Sequence, residues 1–137
     1  MEEGGFTFEE ALIVAKWIEE YGVDAIEVSG GNTSSRPREG VIRPIRRTKE
    51  PQYFAKYAKE MSAVCSLDVG VVGGNRNPQD LEELLQTTNL SFVSLGRPLV
   101  KEPDLVKKWH EGHLEAATCI SCSRCFSEDG IRCVLNQ

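Results

Sequence analysis

A chain of 137 residues with 40% hydrophobic and 27% charged residues has the size and make-up of one soluble globular domain. Its net charge of -5 argues against nucleic acid or an anionic membrane surface as the main partner. No stretch approaches the roughly 20 apolar residues that span a bilayer, and the acidic start Met1-Glu2-Glu3-Gly4-Gly5 is unlike a secretory signal, so a cytoplasmic chain is expected.

In chain order, Thr7-Phe8-Glu9-Glu10 has the form of a capping box that opens a helix. Phe8, Ala11, Leu12, Ala15 and Ile18 follow at helical spacing, and Gly22 can supply the left-handed cap. Ala25 to Ser29 reads as a short buried strand stopped by Gly30-Gly31, and residues 32 to 49 as a long polar loop containing Arg43, Arg46, Arg47 and Lys49. That basic run is read as a solvated cluster ahead of a grip on a substrate or nucleotide phosphate.

A second helix is expected from Glu50 to about Ala63, with Phe54, Ala55, Ala58 and Met61 on one stripe. Trp17, Tyr53 and Tyr57 are read as packing residues, and Cys65 as a small apolar one. Asp68 to Val72 is the next strand. Asn77-Pro78 then starts a helix carrying Leu81, Leu84 and Leu85. Ser91 to Leu95 gives a third strand, and a last helix is expected from Pro103 to Glu111, closed by Gly112.

Alternating helices and strands predict an α/β fold with a parallel sheet and right-handed crossovers. Strand ends at Val28-Ser29-Gly30-Gly31-Asn32 and Val71-Val72-Gly73-Gly74-Asn75 echo one another faintly. A closed barrel of such units needs eight strands and commonly about 250 residues, so the pattern fits about three units of a partial (β/α)8 TIM barrel, residues 1–112. Residues 113–137 form a Cys-rich tail.

Two places carry chemistry. Consecutive parallel strands open onto one rim, where Gly73 and Gly74 let backbone N–H groups approach an anion and Gly96-Arg97 adds backbone and a planar charged fork. Together they read as a phosphate clamp. In the tail, Cys119-x2-Cys122-x2-Cys125-x7-Cys133 has the spacing of a metal or cluster site, with free thiols as the alternative. His110 and His113 are read as a solvated helix end.

In series, Gly5-Phe6-Thr7-Phe8-Glu9-Glu10-Ala11, Gly22 to Gly31, Val72-Gly73-Gly74-Asn75-Arg76-Asn77-Pro78 and Leu95-Gly96-Arg97-Pro98-Leu99-Val100 resemble the C-terminal part of the NADH:flavin oxidoreductase, or Old Yellow Enzyme, family. The resemblance implies strands six to eight of an FMN-binding barrel, with the flavin phosphate against Gly73, Gly74, Gly96 and Arg97. It implies NAD(P)H as reductant and a small alkene or enone as acceptor. The family's substrate-binding and proton-donating side chains come from the first five strands, so no catalytic residue is assigned, and a second chain completing the barrel, or self-association, is expected. Larger members carry a 4Fe–4S cluster in the tail region with longer second and last gaps. This spacing leaves 4Fe–4S or zinc open. The competing readings are a small iron–sulfur or zinc electron-transfer module and an inactive remnant.

Overall fold

The computed structural model describes residues 4–32, 43, 51–127 and 130–136. The elements are α1 (Phe8–Glu20), β1 (Ala25–Val28), α2 (Ala55–Ser62), β2 (Asp68–Val72), α3 (Pro78–Gln86), β3 (Phe92–Ser94), α4 (Arg97–Lys101), α5 (Leu105–His110), β4 (Phe126–Ser127) and β5 (Gly130–Ile131). Strands β1, β2 and β3 form one parallel sheet in that order, with Val28 opposite Val71 and Val72 opposite Ser94.

Local chemistry sets the helix ends. Both bonds of the α1 capping box form: Glu10 N–H donates to Thr7 Oγ1 at 3.2 Å, and Thr7 N–H donates to the Glu10 carboxylate at 2.7 Å. At its far end Gly22 takes φ +78°, and the N–H groups of Gly22 and Val23 cap the carbonyls of Glu19 and Ile18. Asn77 caps α3 through a bond from Gln79 N–H, with proline in the first turn.

The core lies between the helices and one face of the sheet. Val69 and Val71 are fully buried against Phe54, Ala58, Met61, Leu84 and Leu90, and the inner stripe of α1 packs there through Phe8, Ala11, Leu12 and Ala15. Gly70 faces the opposite side, where a Cβ would meet the Phe92 ring at 2.1 Å. Glycine is what allows the cross-strand aromatic to lie over β2. Cys65 packs at the core edge.

Three sequence expectations need correction. Helix α2 starts at Ala55 because residues 51–54 are spent on a tight turn, with Tyr53 N–H bonded to Pro51 O and Ala55 N–H to Gln52 O. The segment after β3 is itself helical, as α4, and α5 is shorter than expected. Trp17 is 56% exposed and, with Ile13 and Tyr21, forms an apolar stripe on the outer face of α1 instead of packing inward.

Candidate functional site

Parallel pairing of β2 with β3 sends Gly73-Gly74 and Gly96-Arg97 out of the sheet at adjoining carboxyl ends. This is the rim expected for a phosphate clamp, and its parts are differently disposed. Gly73 and Gly74 have φ of +106° and +82°. A Cβ on Gly73 would stand 2.5 Å from the Tyr53 ring and 2.8 Å from that of Phe54, and one on Gly74 would stand 1.4 Å from Pro51 O. These glycines therefore receive the chain's own Pro51–Phe54 turn on the side where a Cβ would point. A Cβ on Gly96 would have nothing within 4 Å, so its backbone is open to approach.

Arg97 begins α4 and spends part of its guanidinium on the tail. Nη1 donates to Ser123 Oγ at 2.9 Å and to Ser121 O at 3.4 Å, and Nη2 donates to Arg43 O at 2.9 Å. Among the described residues its Nε–H has no partner. Arg43 in turn lays its guanidinium 4.8 Å and 4.9 Å from the ring centres of Tyr53 and Phe54. Arg46, Arg47 and Lys49 lie outside the described residues.

Two rim residues were not singled out by sequence reasoning. Asn75 is buried, and its Nδ2 donates to Val71 O at 2.8 Å and to Ser94 O at 3.0 Å, tying the ends of β2 and β3 together. Its Oδ1 is buried without a partner among the described residues. Arg76 accepts from Ala117 N–H at 2.8 Å through its carbonyl and donates from Nη2 to Ala117 O at 3.0 Å and to Cys119 O. The local signal for both is a polar pair directly after two strand-ending glycines; their partners are distant in sequence.

The Cys-rich tail folds back over this rim. Besides the two arginines, Glu102 accepts from Thr118 N–H at 2.7 Å, and Lys101 and Asn136 bond each other's carbonyl or amide at the other end of the tail. Strands β4 and β5 pair antiparallel, Phe126 opposite Ile131, and Arg132 N–H bonds Cys125 O at 3.0 Å. That hairpin lies within the long third gap, between Cys125 and Cys133.

Cys119, Cys122, Cys125 and Cys133 all line one cavity of about 20 Å³, shared with Arg97 and Val100. Cys125 is buried, Cys119 and Cys133 are half-buried, Cys122 is exposed, and none of the four is in a disulfide among the described residues. Ser121 and Ser123, flanking Cys122, hold φ of +56° and +58°. Non-glycine residues adopt that region at about 1–2 kcal/mol each, so the loop's path is imposed by its contacts. Among the described residues no three His, Cys, Asp or Glu side chains converge as a ligand set. His110 and His113 are exposed. Among the described residues, no helix is long and apolar enough to cross a membrane.

No protein-family model matches the chain. It is 35% identical over 141 residues to a protein named NADH oxidase from Thermoanaerobacter brockii, an alignment covering 98% of this chain and 21% of that protein. It is 30% identical over 140 residues to a protein named bilirubin reductase from Mediterraneibacter gnavus (strain CC55_001C), covering 98% of this chain and 22% of that one. The chain thus spans about a fifth of the length of these curated relatives. Both names are those of oxidoreductases, and one names NADH.

Proposed function

We propose that this chain is the FMN-phosphate-holding, cysteine-bearing part of an NAD(P)H-dependent flavin oxidoreductase, formed by the last three βα units of a partial TIM barrel. The observation that carries the reading is the parallel register of β2 and β3, which puts Gly73, Gly74, Gly96 and Arg97 on one rim. The residues fit a phosphate on the side of Gly96, whose backbone is open, and of Arg97, whose Nε–H is unspent among the described residues. Gly73 and Gly74 contribute a turn stabilised by Pro51–Phe54 and bring the β2 end to that seat. The chemistry FMN supplies when bound is hydride transfer from NAD(P)H to an activated alkene or enone-type acceptor. No proton donor is assigned within the chain.

Strands β1 and β3 have no partner along their outer edges among the described residues, and α1 exposes Ile13, Trp17 and Tyr21. Both features support a sheet completed by further βα units or by a second chain. A cytoplasmic setting and a tail that forms its own metal-binding region belong to the same reading. For the tail, what supports the reading is chemistry and spacing: four cysteines line one cavity on a loop with two left-handed serines, and holding a metal would require the loop to draw together sulfurs that do not converge as a ligand set among the described residues. A 4Fe–4S cluster or zinc is proposed on that chemistry, and no step is derived through it.

Anaerobic purification of the full chain supplied with FMN, followed by absorbance and by iron, sulfide and zinc assays, tests both parts. Two flavin bands together with stoichiometric iron or zinc are the expected result. A colourless, metal-free protein whose loop cysteines all titrate as free thiols overturns the reading.

A further inference from the structure

Two arginines at neighbouring strand ends hold successive halves of the cysteine loop. Arg76, after β2, holds Ala117 and Cys119 through three bonds to their backbone, one accepted by its own carbonyl and two donated by Nη2, and Arg97, after β3, holds Ser121 and Ser123 on either side of Cys122. The guanidinium is planar and rigid, so fixing Nη1 on the loop and Nη2 on Arg43 O also fixes the direction of the Nε–H. Five N–H groups are available and three bonds are made, which leaves Nε–H and one Nη2–H for an oxyanion.

We propose that Arg76 is a positioning residue for the anion seat: by seating the cysteine loop it sets the guanidinium of Arg97, so that loop order and anion binding at the rim are thermodynamically linked. The proposal rests on the phosphate seat described above. A donor already held in place loses less freedom on binding, and a linkage of this kind is reciprocal. An anion on Arg97 therefore steadies the loop, and a loosened loop weakens the anion, although Arg76 itself is committed to Ala117 and Cys119.

The experiment uses the full chain with FMN as probe. Flavin fluorescence gives the affinity, and hydrogen exchange over residues 117–125 reports loop order. FMN is expected to slow exchange in the wild type. Arg76→Ala is expected to speed that exchange and to raise the FMN Kd about fivefold or more. Arg76→Lys, which keeps the charge and a donor, is expected to recover part of both effects, a rescue that general misfolding does not give. Ser123→Ala, at an exposed position, removes one anchor of Arg97 and is expected to weaken FMN in a folded protein even where Arg76→Ala fails to fold. Wild-type protein that binds no FMN overturns the seat and the linkage with it. Equal FMN affinity in wild type, Arg76→Ala and Ser123→Ala overturns the linkage alone.

Discussion

Gly74→Ala is expected to be the most damaging single methyl addition at the rim, lowering stability by roughly 3 kcal/mol or more. Two effects add. The φ of +82° is unfavourable for an L side chain, and the new carbon would lie 1.4 Å from Pro51 O, a backbone atom that moves only if the whole turn before α2 moves. That turn also places Phe54, which is 3% exposed and touches the ends of both β1 and β2. A small domain has about 5–15 kcal/mol in total, so urea denaturation should show a large drop in midpoint. Gly96→Ala is the internal control. A Cβ there would meet nothing within 4 Å, so its midpoint should fall much less than that of Gly74→Ala while the methyl intrudes on the proposed seat. Equal midpoints for the two variants would show that Pro51 does not pack on Gly74.

Arg97→Ala is expected to reduce FMN affinity about ten- to a hundredfold, the range set by charge-assisted bonds of about 1.5–3 kcal/mol. The truncation removes the cation from the rim and also frees Ser121 and Ser123 from their donor. Arg97→Lys should fall between the two, because a point charge persists while the planar fork is lost. Titration by fluorescence quenching at fixed ionic strength measures both, and an Arg97→Ala protein with wild-type affinity would remove Arg97 from the seat.

Much of the sheet was legible because its signals are local. The α1 capping box, the β2 span Asp68–Val72 and the Asn77 cap of α3 each depend on residues within a turn of one another, and each appears as expected. Short elements escaped for the same reason: α4 is one turn long, and β4 and β5 have two residues each, too few to display a period. Arg76 was hidden because its partners lie 41 and 43 residues away, and Asn75 because its second carbonyl is on another strand. The outward turn of Trp17 was misread since helical spacing gives the stripe but not which stripe meets the core. Gly73 and Gly74 hold positive φ, and the neighbour filling their Cβ positions, the Pro51–Phe54 turn, follows only from the fold.

The most direct measurement is residue-resolved NMR of the isotopically labelled full chain titrated with FMN. The expected result is saturable shifts of the Gly96 amide and the Arg97 Nε–H, accompanied by the Gly73 and Gly74 amides on the adjoining strand end. Shifts confined to residues away from these two strand ends, or a rim unchanged while FMN binds elsewhere, would contradict the shared phosphate seat.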